Sequence, residues 1–269
     1  MTLICCDLDG VVWRGDDPIP GAATGIETLR RAGFRVVFLT NNSSGRIADV
    51  AAKLARHSVE TPAADVASSA QAAASLLARS LPAGSRVLAC AGPGVVDALT
   101  ECGFDVVDDG PADAVVVGWH QNFDFERLRR AADVARRRDA RFVATNLDPT
   151  YPGATGLLPG AGSIVAAVAT AAGRTPEVAG KPEPAMAALV RERYGEPVLM
   201  VGDRPSTDGD FATVLGCPFA LVLSGVVGTE GEEGIPDPRP AFMAPDLGTL
   251  APDVVATFGA ASGPAPDGP

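Results

Sequence analysis

Two carboxylates lie at the end of the first apolar segment of the chain. Asp7 directly follows the run from Leu3 to Cys6, Asp9 comes two residues later, and Gly10 is next. An apolar run that ends at a glycine predicts a buried strand followed by a turn, and open α/β sheets bind ligands at the carboxyl ends of their strands. Asp is costly to bury without a partner, and a divalent cation is its commonest partner. The stretch therefore favours a functional site over a plain strand with an Asp-Gly turn.

A second polar cluster follows the next apolar segment. Thr40, Asn41 and Asn42 come after the run from Phe34 to Leu39, and a helical pattern from Ala22 to Ala32 precedes that run. A strand, a helix and a strand at this spacing predict a βαβ unit with parallel, adjacent strands. The hydroxyl, amide and loop N–H groups are donors that suit an oxyanion such as phosphate. By themselves they would also fit ordinary caps of the following helix.

Two further segments bring charge to the predicted sheet edge. Lys181 lies in a proline-rich loop just before a helical pattern, where it could equally be a surface lysine. Asp203 and Asp208 follow the apolar run from Pro197 to Val201, so they repeat the arrangement of Asp7. These residues add a cation and two more acids to the candidate site.

Four crowded carboxylates repel one another, so the set requires a hard cation. Oxygen ligands without His or Cys select Mg²⁺, with the candidate ligands Asp7, Asp9, Asp203 and Asp208. A lysine, a hydroxyl and amides beside such a metal suit phosphoryl transfer. Asp7 can then attack phosphorus, while Asp9 donates a proton to the leaving alcohol and afterwards activates water.

Alternating apolar runs and helical patterns predict an α/β protein with a parallel sheet. The pattern restarts near residue 86, which indicates an inserted domain. We expect a core of residues 1–78 and 179–260, an inserted α/β cap of residues 79–178, and a disordered tail of residues 261–269, which are rich in Gly, Pro and Ala.

The insert holds candidate substrate-binding residues. The stretch from Thr145 to Ser163 is rich in Pro and Gly and has no regular period, which predicts a binding loop. Asn146, Asp148 and Tyr151 in this loop can read a polar substrate. His120 is a further candidate contact, although a lone histidine beside a tryptophan is more often structural.

Composition limits the classes of partner. The net charge of −11 argues against binding of nucleic acid or of an anionic membrane through bulk electrostatics. Five cysteines without a C-x-x-C pair predict neither a disulfide framework nor a zinc site. Since the sequence also lacks a leader pattern and a run long enough to span a membrane, we expect a cytoplasmic protein. The candidate site predicts that its partner is a small phosphorylated metabolite.

Four segments match the ordered motifs of the haloacid dehalogenase superfamily. They are Asp7-Leu8-Asp9-Gly10-Val11, Thr40-Asn41-Asn42-Ser43, Gly180-Lys181-Pro182, and Gly202-Asp203-Arg204 with Thr207-Asp208. The chain resembles the class with a large α/β cap between the second and third motifs, which includes the NagD-like and 4-nitrophenyl-phosphatase-like enzymes. The resemblance extends over nearly the whole chain and implies a Rossmann-like core with an inserted cap.

The resemblance also implies roles for individual residues. Asp7 corresponds to the nucleophile and Asp9 to the general acid/base. The side chain of Asp7, the backbone carbonyl of Asp9, and Asp203, with Asp208 close by, correspond to the magnesium site. The phosphoryl group is expected on Thr40, Asn41, Asn42 and Lys181. The cap is expected to supply specificity and a possible homodimer contact, and its loop resembles that of relatives acting on polyol or glycerol phosphates.

The sequence departs from the pattern at two places. Pro205, Ser206 and Gly209 occupy a turn in which relatives usually carry aliphatic residues instead, and His120 stands where many carry an acid. We expect a magnesium-dependent phosphatase of small phosphomonoesters. The alternatives are a phosphotransferase or mutase, which needs a cap that excludes water, and a sensor that binds a phosphorylated metabolite without turnover. Asp9 argues against a sensor, because a base beside an aspartyl phosphate shortens its lifetime.

Overall fold

A computed structural model describes residues 1–153, 156–225 and 237–259 of the chain. The predicted tail of residues 261–269 lies outside the described residues. Contacts divide the chain into two compact units. The first consists of residues 1–38, 54–61 and 194–269, and the second of residues 39–53 and 62–193. The predicted boundaries of core and cap stay a prediction.

The helices and strands follow one another along the chain in three groups. The first group is β1 (Thr2–Asp7), β2 (Trp13–Arg14), β3 (Asp17–Pro18), α1 (Ala22–Arg31), β4 (Phe34–Thr40), α2 (Ile47–Arg56), β5 (Val66–Ser68) and α3 (Ser69–Ala78). The second group is β6 (Arg86–Cys90), α4 (Pro93–Glu101), β7 (Asp105–Val107), β8 (Ala114–Val117), α5 (Phe125–Arg136), β9 (Arg141–Ala144), β10 (Thr150–Gly153), β11 (Gly156–Pro159) and α6 (Ala161–Ala172). The last group is β12 (Glu177–Val178), α7 (Pro184–Tyr194), β13 (Pro197–Gly202), α8 (Asp210–Leu215), β14 (Phe219–Val222), β15 (Phe242–Ala244) and α9 (Leu247–Phe258).

The first unit contains a sheet in which the strands lie in the order β15, β14, β13, β1 and β4. The predicted adjacency of β1 and β4 is therefore confirmed. Strand β1 pairs in parallel with β13, β13 with β14, and β14 with β15. Cys6 is in register with Val201, so both strands end at the same edge of the sheet. The nearly unbroken burial of β1 fits its apolar run, since strands of a parallel sheet are covered on both faces.

The second unit has its own parallel sheet, in the order β12, β9, β8, β6 and β7. Its core joins strand residues such as Val115 and Phe142 to Ala131 of α5 and Val168 of α6. The alternation predicted for residues 86–144 is therefore confirmed, with β6 and β9 at the expected residues. Within the described parts of the chain, no helix is long and apolar enough to span a membrane.

The stretch from Thr145 to Ser163 is not an irregular loop throughout. Strands β10 and β11 pair in antiparallel fashion, with Tyr151 opposite Leu158, and α6 begins at Ala161. The prediction of a loop without regular structure is wrong for these strands. Proline and glycine hide the strand pattern, yet a two-stranded ribbon tolerates proline because both of its strands have an open edge. Residues 154 and 155 lie outside the described residues.

Candidate active site

The acidic cluster is built from three carboxylates of the first unit. Asp7, Asp203 and Asp208 each offer a carboxylate oxygen, and these atoms lie within 4.8 Å of one another. All three residues are buried, with exposed fractions of 8%, 4% and 1%. Strands β1 and β13 end side by side and deliver Asp7 and Asp203, as the apolar runs predict. The turn after β13 delivers Asp208.

Glycines leave the space that this cluster occupies. A Cβ on Gly10 would lie 2.3 Å from Oδ2 of Asp203, and one on Gly225 would lie 1.9 Å from the same atom. A Cβ on Gly202 would lie 2.3 Å from Cβ of Asp208. Real Cβ atoms do not approach so closely, so the two carboxylates pack against bare backbone.

The turn of residues 205–209 keeps Asp208 in the cluster despite its unusual sequence. The segment Pro205–Gly209 forms one π-helical turn. The N–H of Asp208 donates to the carbonyl of Arg204 at 2.7 Å, and the N–H of Arg204 donates to Oδ2 of Asp208 at 3.2 Å. The turn that contains Pro205 and Gly209 therefore still places the carboxylate of Asp208 in the cluster.

The donor set fits a hard divalent cation. Three buried carboxylates this close repel one another strongly unless a positive charge lies among them. All the ligand atoms are oxygens, and the cluster contains no His or Cys. Such a set suits Mg²⁺ or Ca²⁺ and does not suit Zn²⁺.

Asp9 lies in the turn that follows β1 and is held by a tryptophan. The chain reverses at Gly10, whose φ of 85° is in the left-handed region. The indole Nε1 of Trp13 donates to Oδ1 of Asp9 at 3.0 Å. Asp9 is half-buried, whereas Trp13 is only 4% exposed. The turn thus fixes one carboxylate oxygen of the predicted acid/base.

The second unit brings together the predicted phosphate-binding residues Asn41 and Lys181. Oδ1 of Asn41 accepts the backbone N–H of Lys181 at 2.8 Å, and Nδ2 donates to the Lys181 carbonyl at 3.0 Å. Nδ2 also donates to Oδ2 of Asp148 at 3.2 Å. Both N–H groups of the Asn41 amide are therefore used, and this side chain positions Lys181. Lys181 is 4% exposed.

The neighbouring polar residues form one network with Asn41. Its carbonyl accepts from Nδ2 of Asn146 at 2.6 Å and from Oγ of Ser69 at 2.7 Å. Oδ1 of Asn146 accepts the N–H of Asp148 at 3.0 Å. Thr40, which is buried, accepts the N–H of Asn42 on its hydroxyl at 3.0 Å.

Tyr151 joins this network to the β10–β11 ribbon. Its hydroxyl accepts from Nδ2 of Asn42 at 3.1 Å, and its ring lies 4.8 Å from that of Trp119. Nε1 of Trp119 donates to the carbonyl of Pro159 at 2.8 Å. Sequence reasoning gave no role to Trp119, Ser69 or Trp13. Only Trp13 carried a signal, since it lies four residues after Asp9.

His120 lies three residues after the end of β8, and 6% of its surface is exposed. Its Nδ1 contacts the carbonyl of Gly118 at 3.0 Å, and the edge of its ring meets Phe123. Among the described residues, none forms a hydrogen bond with its buried Nε2. Burial is the main cause that lowers the pKa of His120 below its ordinary value. These contacts favour a neutral imidazole, and a substrate contact at His120 stays a prediction.

Two family models match the chain. The model of haloacid dehalogenase-like hydrolases matches residues 4–105, and a related model of HAD-like hydrolases matches residues 178–250. D-glycerol 3-phosphate phosphatase of Mycobacterium tuberculosis is 40% identical over 252 residues, which are 92% of this chain and 70% of that protein. The chain belongs to the haloacid dehalogenase-like hydrolase family.

Solved structures of the family share the fold. A glycerol phosphate phosphatase from M. tuberculosis, solved in complex with magnesium, matches with a TM-score of 0.84 and 38% identity over 93% of this chain and 76% of that one. A 4-nitrophenylphosphatase from Thermotoga maritima matches with a TM-score of 0.83 and 32% identity over 94% of this chain and 97% of that one. The predicted superfamily, fold class and enzyme class are thereby confirmed.

Proposed function

We propose that this hydrolase is a magnesium-dependent phosphatase of small phosphomonoesters of the glycerol, polyol or sugar phosphate type. The observation that carries the proposal is the buried cluster of Asp7, Asp203 and Asp208 at the carboxyl ends of parallel strands. Similarity to a glycerol 3-phosphate phosphatase and to a structure with magnesium supports the substrate class and the metal.

Four groups are proposed to hold Mg²⁺. They are the carboxylates of Asp7, Asp203 and Asp208 and the backbone carbonyl of Asp9. When bound, the ion neutralises negative charge on the phosphoryl group and on the carboxylates. Asp7 remains ionised in this setting, which a nucleophile requires.

The reaction divides between the two acids of the first motif. An oxygen of Asp7 bonds to phosphorus while the ester P–O bond breaks, and Asp9 transfers its proton to the leaving alkoxide, which departs as the alcohol. Asp9, now ionised, takes a proton from water as that water bonds to phosphorus. The bond between phosphorus and Asp7 breaks, phosphate leaves, and both acids return to their starting states.

The phosphoryl oxygens are proposed to contact Thr40, Asn41, Asn42 and Lys181. The ammonium group of Lys181 supplies a full positive charge, and its backbone is fixed by Asn41. Both amide N–H groups of Asn41 are already used, and the backbone N–H of Asn42 donates to the hydroxyl of Thr40. The backbone N–H of Asn41 is therefore the donor proposed for this residue. The hydroxyl of Thr40 completes the set.

Recognition of the alcohol is proposed for the second unit. Asn146, Asp148, Tyr151 and His120 are the candidate residues. Asp148 accepts a hydrogen bond from Asn41, and Tyr151 accepts one from Asn42, so each of the two contacts the proposed phosphate-binding loop. Through these bonds, a substrate contact at Asp148 or Tyr151 would be linked to that loop. We also propose a homodimer through the cap. We also propose a cytoplasmic location, which the cysteine pattern of the sequence supports.

The test is phosphate release from a panel of glycerol, polyol, sugar, nucleotide and pyridoxal phosphates and 4-nitrophenyl phosphate, with Mg²⁺ or with EDTA. We expect turnover that needs Mg²⁺ and is fastest with a small polyol or sugar phosphate. Transfer to an added alcohol instead of water would support the phosphotransferase alternative. Tight binding of one ester without turnover would support the sensor.

A further inference from the structure

Trp13 is a residue of the first motif region to which neither the motif pattern nor the sequence assigned a role. Its indole Nε1 lies 3.0 Å from Oδ1 of Asp9, and no other part of its side chain is polar. We infer that Trp13 is a positioning residue for Asp9, an inference that rests on the proposed function. It holds the carboxyl group of Asp9 in the orientation in which its other oxygen, Oδ2, delivers the proton to the leaving alkoxide.

The backbone around Trp13 makes its ring a fixed support. The carbonyl of Leu8 accepts from the N–H groups of residues 11, 12 and 13, and the N–H of Gly10 donates to the carbonyl of Trp13 at 2.7 Å. Trp13 then pairs with Pro18 across the short ribbon of β2 and β3. These bonds fix the backbone at both ends of the Asp9–Trp13 contact.

Packing fixes the side chain as well. Only 4% of Trp13 is exposed, and its ring lies 5.8 Å from the ring of His57 at an angle of 47°. The loop is tied from the other side, because Oγ of Ser224 donates to the carbonyl of Gly10 at 2.8 Å and Nε of Arg14 donates to the carbonyl of Ser224 at 2.5 Å. The indole N–H is therefore held in one direction, toward Oδ1 of Asp9.

The carboxyl group of an aspartate needs such a support. Its terminal torsion has no sharp staggered minima, so the group turns easily about that bond. Since an indole N–H can only donate, the oxygen that it meets must present a lone pair. The carbonyl oxygen is the better acceptor of a protonated carboxyl group, so we assign Oδ1, which meets the indole N–H, as the carbonyl oxygen and Oδ2 as the oxygen that carries the transferable proton.

Two substrates with different leaving groups test the inference. An alkoxide such as that of glycerol 3-phosphate needs a proton as it leaves, whereas 4-nitrophenolate is a good leaving group that needs none. The measured quantity is kcat/KM for each substrate, because it reports the steps up to departure of the alcohol. Water activation by Asp9 comes later and does not enter it.

We expect Trp13→Phe, which keeps an aromatic ring and removes the N–H, to lower kcat/KM for glycerol 3-phosphate by about 10- to 100-fold. The value for 4-nitrophenyl phosphate changes by less than about 3-fold, since no proton is needed there. Asp9→Asn shows the same selectivity with a larger loss on glycerol 3-phosphate. Ile26→Val, a conservative core change in α1 of the same unit, leaves the ratio of the two values unchanged.

Equal losses on both substrates in Trp13→Phe would overturn the inference and make Trp13 a structural residue only. If Trp13→Phe does not fold, 3-benzothienylalanine at position 13 replaces the N–H by sulfur with little change of shape, and the same two outcomes apply. Wild-type protein without phosphatase activity on either ester would instead contradict the proposed function. An unselective Asp9→Asn, beside an active wild type, would contradict the acid role of Asp9 and with it the inference.

Discussion

Asn41 shows how one side chain can hold the backbone of a residue that lies far away in the sequence, Lys181. Its amide binds the backbone N–H and the carbonyl of Lys181, and its second N–H reaches Asp148. Residues 41 and 181 are 140 positions apart in the chain, so no local pattern in the sequence reveals the bond. The motif resemblance identified both residues, but only the structure shows how their backbones and side chains are joined.

Asn41→Ala is predicted to cost about 1–3 kcal/mol of unfolding free energy, because it removes the two hydrogen bonds between the Asn41 side chain and the backbone of Lys181. We also expect a higher KM for phosphate esters, since Lys181 loses its support. Chemical unfolding and steady-state kinetics measure the two effects. Asn122→Ala, at an exposed position of the same unit, is the control and changes neither quantity. Equal behaviour of the two variants would refute the positioning role.

His120 is predicted to make stability depend on pH. Burial lowers the pKa of His120 in the folded state below the ordinary value of 6.5. The hydrogen bond to Gly118 raises this pKa by less, and the smaller effects of Arg127 and Asp124 lower and raise it, respectively. Below pH 6.5, His120 therefore binds a proton more readily in the unfolded chain than in the folded chain, and folding stability falls as the pH falls. Above pH 6.5, His120 is neutral in both states, so this loss of stability is absent.

We predict that the wild type loses more unfolding free energy than His120→Gln when the pH is lowered from about 8 to about 5. Urea unfolding at both pH values measures the difference. Parallel losses in the two proteins would mean that His120 titrates as in the unfolded chain.

At the scale of elements, the turns after the strands decide where the acids lie. The turn at Gly10 combines a left-handed backbone with close contact to Asp203, two demands that only glycine meets together. Gly33 also has a positive φ, of 89°, but a Cβ there would meet no atom within 4 Å. Substitutions at these two glycines therefore distinguish the effect of backbone strain, which both share, from displacement of the Asp203 carboxylate, which only Gly10 can cause.

Both Gly10→Ala and Gly33→Ala are predicted to lose about 1–2 kcal/mol of stability through backbone strain. Only Gly10→Ala is expected to weaken activation by Mg²⁺, by at least about 10-fold, because its Cβ pushes Asp203 aside. Magnesium titration of phosphatase activity in both variants checks this. Unchanged magnesium activation in Gly10→Ala would show that Asp203 is not held by this contact.

Sequence reasoning succeeded for elements with a strong apolar period and failed where turn residues interrupt it. The run before Asp7 determined β1 and its polar end, because a fully buried parallel strand has few alternatives. Strand β10 contains Pro152 and Gly153, and β11 ends at Pro159, so composition indicated a loop. Pairing with each other, which composition does not reveal, decides the structure of these two strands.

At the scale of the whole molecule, the buried acids link metal binding to stability. Repulsion within the cluster of Asp7, Asp203 and Asp208 opposes folding until a cation binds, and an unfolded chain has no such site. The net charge of the protein is −11, but cations that bind to exposed charges add less stability than a cation in the buried cluster, because salt screens exposed charges. Mg²⁺ should therefore stabilise the fold through this cluster.

We predict that Mg²⁺ at 100 times its Kd adds about 2.7 kcal/mol of stability, which raises Tm by about 5–10 °C. Asp203→Asn is expected to lose most of this shift, whereas Asp253→Asn, at an exposed position on α9, keeps it. Thermal unfolding with Mg²⁺ and with EDTA measures the shift. A similar shift in Asp203→Asn would place the stabilising ion elsewhere.

The most direct test of the account is to trap the phosphoryl group on Asp7. In the proposed mechanism, 4-nitrophenolate can leave from an Asp9→Asn variant without an acid, but this variant lacks the base that activates water. We predict stoichiometric release of 4-nitrophenolate in the presence of Mg²⁺, together with one phosphoryl group on the peptide containing Asp7 in mass spectra of the acid-quenched protein. The double variant with Asp7→Asn carries none. Continued phosphate release in Asp7→Asn, or a phosphoryl group on another residue, would contradict a reaction through Asp7.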